Sequence, residues 1–165
     1  MSASLLCTMA ALLVSAPTEL PALTLAQKIV GTWESEDPQL KVLMSATLGD
    51  NKRTVHFVTT VGDPQKPMMR ANSMVGPDSN GKDVFYLDTH NESTVYFGNV
   101  TLVEGALVFD FHEMTGTRGR YLIRERLMNP DQLRSTFYSV GADGKESALM
   151  TLNLRRRKEA KPHGS

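Results

Sequence analysis

The sequence predicts an all-β chain: one antiparallel up-and-down β-barrel of about 8–10 strands, preceded by a short N-terminal helix. Three observations carry that expectation. Turn-forming residues recur at intervals of roughly 8–14 positions from Glu36 to Gly144, the spacing a meander of hairpins requires. Between them apolar residues alternate with period two, as in Leu40, Val42, Met44, Ala46 and Leu48. From Ile29 to Arg156 there is almost no helical periodicity. Strands joined only by hairpins expose two unpaired edges, and closing the sheet on itself removes both.

The first sixteen residues, MSASLLCTMAALLVSA, are apolar or small and uncharged, and too few to cross a bilayer as a helix. They match the apolar region of a secretory signal, with small-residue cleavage positions near Ala16 or Ala22. The basic lead-in such signals carry is missing, and Pro17 follows Ala16 directly. The alternative is a helix that closes one end of the barrel. Residues 1–23 are therefore one segment, 24–158 the barrel, and 159–165 a polar, disordered tail. Export makes the protein secreted or periplasmic; the helix reading leaves it cytoplasmic.

Thr24 to Lys28 reads as one helical turn, with Thr24 as cap and Gln27 three residues on. Strands are expected near 30–35, 40–48, 53–61, 67–75, 83–88, 93–97, 100–104, 106–113, 119–127, 133–140 and 147–156, with one of these boundaries false. Val55, Phe57, Thr59 and Val61 share a face, as do Leu107, Phe109 and Phe111, and again Leu133, Ser135, Phe137 and Ser139. Turns are marked by Gly62-Asp63-Pro64, Asn80-Gly81, Glu104-Gly105, Asn129-Pro130-Asp131 and Ala142-Asp143-Gly144, among others.

Composition excludes several classes. Eighteen basic residues balance eighteen acidic ones, so nothing favours nucleic acid, which is held chiefly by excess Lys and Arg. Arg155-Arg156-Arg157-Lys158 is a solvated strand end rather than a basic patch, because no second cluster accompanies it. The single cysteine, Cys7, rules out an internal disulfide and a cysteine zinc cluster, and within its apolar run it reads as a small hydrophobe. His56, His90, His112 and His163 never approach a metal-ligand spacing. No cofactor or metal is implied. Two sequons, at Asn91 and Asn99, matter only in a eukaryotic secretory route.

Ile29-Val30-Gly31-Thr32-Trp33-Glu34 resembles the Gly-x-Trp opening of lipocalin-like (calycin) barrels, at the place those barrels carry it. The resemblance implies that Trp33 packs across the closed end under a basic residue of the last strand, with Arg155, Arg156 and Arg157 as candidates. Arg120 to Lys158, with Asn129-Pro130-Asp131 and Gly141 to Glu146, is similar to bacterial secreted lipocalin-like families of unassigned function. Leu87-Asp88-Thr89-His90 stands where classical lipocalins have Thr-Asp-Tyr, and Ser35 departs from the Gly-x-Trp-x-Gly of haem-binding relatives. Fold and the structural role of Trp33 carry over; a specific ligand does not.

A barrel of this kind encloses room for one small ligand, so the first functional expectation is binding of a small hydrophobic or amphipathic molecule. The residues expected to line the site are Met44, Phe57, Met68, Arg70, Met74, Tyr86, Tyr96, Phe109 and Phe137. Met68, Arg70, Asn72 and Met74 share one face, with Met69, Ala71 and Ser73 on the other; the first set inward would put an arginine among soft apolar walls. Arg120, Leu122, Arg124 and Arg126 form a second stripe, alternating with Tyr121, Ile123, Glu125 and Leu127. Lys and Arg seldom lie buried unpaired, so the opposing reading turns both stripes to water. The alternative function is a cofactor-free cyclase or isomerase acting on a polyketide- or polyene-like substrate, with His112, Glu113 or Arg70 as candidate catalytic groups. A further alternative is haem or tetrapyrrole binding through His56 or His112. Glu113 and Glu125 would matter as a pair only if neighbouring strands bring them together.

Overall fold

The computed structural model describes residues 21–90, 94–116 and 118–158. The apolar leader with Cys7, the Asn91 sequon and the tail with His163 lie outside the described residues. One helix, α1 (Pro21–Lys28), precedes ten strands: β1 (Gly31–Ser35), β2 (Val42–Leu48), β3 (Val55–Asp63), β4 (Lys66–Pro77), β5 (Asp83–Thr89), β6 (Thr94–Val103), β7 (Ala106–Glu113), β8 (Arg120–Asn129), β9 (Gln132–Val140) and β10 (Glu146–Arg156). Every strand pairs antiparallel with its sequence neighbours, and β1 also pairs with β10, which closes the barrel. Trp33 stands opposite Met44 on one side and Arg156 on the other.

Two sequence expectations change. The ranges 93–97 and 100–104 are one strand, β6, running through Gly98. Gly98 is there for space: a Cβ would collide with the Asp110 carbonyl and the backbone of Phe111. The helix begins at Pro21 rather than Thr24, using the proline where a missing N–H costs nothing. Its first turn is tied down from afar, since the Leu23 N–H donates to Asp83 Oδ2 of β5 at 3.2 Å.

The closed end is a dry core. Ala22, Leu23 and Ala26 of α1, with Ile29, pack into one buried cluster with Trp33, Val55, Val75, Leu107, Leu133 and Leu154. The Trp33 indole donates to the Ile29 carbonyl at 2.7 Å, and the Arg156 guanidinium lies over its ring at 4.2 Å. Gly31 is obligatory here, because φ is +133° and a Cβ would strike Arg156 Nη1. Arg155 instead pairs with Glu34 on the outside, and the Arg157 N–H continues the ladder to the Thr32 carbonyl.

Bulges set which side chains face inward. In β10 the register shifts between Ala148 and Met150, so Glu146 faces outward to Arg124 while Met150, Leu152 and Leu154 turn inward. A shift between Val61 and Gly62 of β3 leaves Met68 projecting from the β3–β4 hairpin, 75% exposed.

Candidate functional site

Alternation along the ten strands leaves a lumen that the side chains do not fill. The cavity holds about 320 Å³. One wall, from β5 to β9, is aromatic. Phe85 meets Phe109 edge-on at 4.8 Å and Phe111 at 5.2 Å, and Tyr121 stacks on Phe137 at 5.5 Å and 15°. The facing wall, from β2 to β4 and β10, is aliphatic and soft, with Val42, Met44, Val61, Met69, Met150 and Leu152. Thr59, Ser73, Thr89 and Ser135 add hydroxyls.

Among the described residues one charged side chain lines this cavity, Glu125 of β8. It stands opposite Leu107 and Ser135, one inward-facing position from Leu127 and so in the deep half of the lumen. Ser135 Oγ donates to its Oε1 at 3.5 Å, while Oε2 has no partner among the described residues. Burial pushes the carboxyl up to about 7, with the serine hydrogen bond a smaller opposing effect. Near neutral pH both protonation states are populated, and Oε2 remains a buried polar atom without a partner among the described residues.

The expected lining residues divide. Met44, Phe57, Tyr96, Phe109 and Phe137 line the cavity. Met68, Arg70, Met74 and Tyr86 do not, which corrects the inward placement expected for them. On β4 the inward face is Met69, Ala71, Ser73 and Val75, and a strand that turns one set inward necessarily turns the other to solvent. Met74 and Tyr86 are cross-strand neighbours on that outer face. Arg120 and Arg124 also point outward, where they pair with Asp110 at 2.7 Å and with Glu146. Arg124 further covers the Tyr138 ring at 4.7 Å.

His112 is exposed on the outer face of β7, opposite Phe97 and Arg120. Glu113 follows it on the other face, at the strand end near the mouth, so alternation turns the two side chains apart. His56 is exposed, hydrogen-bonded to Thr54 at 3.1 Å. Glu113 and Glu125 do not approach each other. Glu125 pairs with Leu107, and Glu113 lies six positions further along β7, about 20 Å at the rise of a strand.

Glu125 does not stand out in the sequence as a site on its own. A signal existed: it breaks an otherwise apolar alternation of Tyr121, Ile123 and Leu127. A carboxylate in that company is either a surface group on a twisted edge or a buried group with work to do, and the register decides.

Among the described residues no group of three His, Cys, Asp or Glu side chains is placed to hold a metal ion. No described helix is long and apolar enough to cross a membrane. No family model matches the chain, and no curated protein does.

Proposed function

We propose that this barrel is lipocalin-like and binds one small hydrophobic or amphipathic molecule in its cavity. The observation that carries this reading is an apolar lumen of about 320 Å³ with the buried carboxyl of Glu125 in its wall. Ligand sites are typically apolar hollows with a few placed polar groups, and this volume stands at the small end of their range. The lipocalin-like assignment rests on Gly31-Thr32-Trp33 and on Arg156 covering the indole. The test is native mass spectrometry of protein purified from its own source, followed by organic extraction. An apolar species of small mass, released only on denaturation, is the expected result. Repeated recovery of bare protein that also takes up no apolar probe overturns the reading.

Glu125 supports a second reading, cofactor-free isomerisation or cyclisation of a polyketide- or polyene-like substrate. A carboxyl that titrates near neutrality is matched to proton transfer at a carbon next to a carbonyl, and the apolar walls would hold such a substrate against it. A mass-neutral change in chromatographic retention of a linear substrate, lost in Glu125→Gln, is the result that would favour it over simple binding.

A further inference from the structure

We propose that the cavity selects ligands carrying one basic nitrogen on a compact apolar body, with the ammonium seated against Glu125. This rests on the binding reading above and names the ligand class for the same site.

The argument starts from charge. Glu125 is the only charged side chain among the described residues lining the cavity. Around it, Leu107 of β7, Ile123 of β8, Ser135 of β9 and Leu152 of β10 carry no ionisable group. Most charged residues of these strands sit on the outer face: Asp110 with Arg120, Glu146 with Arg124, Arg155 with Glu34, and Arg126 and Arg134 exposed to solvent. His112 is outside as well, and Glu113 lies at the far end of β7. Arg156 lies inward at the closed end, where its guanidinium covers Trp33 and donates to the carbonyls of Lys28, Val30 and Pro130. Among the described residues no cation is paired with Oε2.

A buried acceptor without a partner costs free energy, and that cost is recovered by whichever ligand satisfies it. An ammonium does so with both hydrogen-bond donors and opposite charge. A carboxylate ligand would set like charge against like at a buried position. A neutral alcohol offers a hydrogen bond without the charge. The aromatic wall favours the same class: Phe109 and Phe137 occupy the next inward positions beyond Leu107 and Ser135, and ring faces attract cations. The small volume admits a compact body rather than a long chain.

Amine binding is also coupled to protons. Below about pH 7 Glu125 holds its proton in the free protein. An ammonium at Oε2 favours the ionised form, so binding near pH 6 expels that proton.

The experiment is titration calorimetry of the full chain and of Glu125→Gln with three probes of one shape: 3-phenylpropylamine, 3-phenylpropanol and 3-phenylpropanoate. At pH 8 the unaltered protein should bind the amine at least about tenfold more tightly than the alcohol, with the acid weakest. That preference should collapse in Glu125→Gln while alcohol binding persists. At pH 6, heats measured in two buffers of different ionisation enthalpy should report nearly one proton released per amine bound. Equal affinity for amine and alcohol, or a preference that survives Glu125→Gln, overturns the amine proposal and leaves the cavity reading standing. Failure of all three probes to bind overturns both. Should Glu125→Gln not fold, as judged by its melting curve, proton release from the unaltered protein decides alone, and its absence overturns the proposal.

Discussion

Arg156 covers Trp33: its Cζ lies 4.2 Å from the centroid of the indole, whose own N–H is spent on the Ile29 carbonyl at 2.7 Å. The same guanidinium donates to the carbonyls of Val30 at 2.6 Å, Lys28 at 3.0 Å and Pro130 at 2.9 Å. One side chain thus joins the end of α1, the start of β1 and the β8–β9 turn. These are the segments that must meet for the last strand to close on the first.

Removing that fork should loosen the closed end. Arg156→Ala is expected to lose about 2–4 kcal/mol, from a cation–π contact and several charge-assisted hydrogen bonds. Arg156→Lys should recover less than half, because an ammonium lacks the planar fork. Urea unfolding followed by the fluorescence of Trp33, the single tryptophan, measures both. An Arg156→Ala midpoint equal to that of the unaltered protein would remove Arg156 from the closure.

Gly98 lies beneath the aromatic wall. Gly98→Ala places a methyl against the Asp110 carbonyl and Phe111, so β6 and β7 must separate or Phe111 must move. The expected cost is about 1–3 kcal/mol, with a disturbed near-ultraviolet circular dichroism from the Phe85–Phe111–Tyr121 cluster. Gly105→Ala is the contrast. Its Cβ meets nothing, and only the +75° φ opposes it, so its spectrum should stay native.

Glu125 gives the protein a pH dependence of definite sign. The carboxyl titrates near 4.5 in the unfolded chain and near 7 in the folded one, so the folded state binds the proton more tightly between those values. Stability should therefore fall as pH rises from about 4.5 to about 7 and level off above. Glu125→Gln should remove this fall, shifting its stability relative to the unaltered protein by on the order of 3 kcal/mol in its favour across the window. Parallel denaturation curves for the two proteins from pH 4 to pH 8 would show the carboxyl to be solvated.

Filling the lumen separates cavity from surface binding. Ser73 faces inward from β4, and Ser73→Leu should occupy part of the 320 Å³ while adding apolar contact. Loss of 3-phenylpropanol uptake together with an unchanged or raised melting temperature is the expected pair of results. Unaltered uptake would place the bound probe outside the barrel.

Much of the wall was legible beforehand. Val55, Phe57 and Val61, or Leu107, Phe109 and Phe111, could be assigned to one face from period two alone, because an apolar set on one side leaves a single consistent orientation. β4 was not legible. Met68, Arg70 and Met74 alternate with Met69, Ala71 and Ser73, and neither set is clearly the more apolar, so pattern alone left the orientation open. The bulge at Met150 was hidden for a similar reason: one extra residue inverts the alternation without leaving any mark in composition.

The amino-acid sequence by itself determined that the chain is an antiparallel meander, where most of its turns fall, and that Gly31 and Trp33 open the first strand. Those features follow from local backbone preference and from the alternation of side chains along a single strand, which operate over a few residues. Only the tertiary structure decided the register at which β1 meets β10, that Arg156 rather than Arg155 or Arg157 covers the indole, and that Glu125 stands within the lumen. The first two are matters of register between strands distant in sequence and the third of which face of β8 turns inward, and a shift of one residue would exchange the inside of the barrel for its outside.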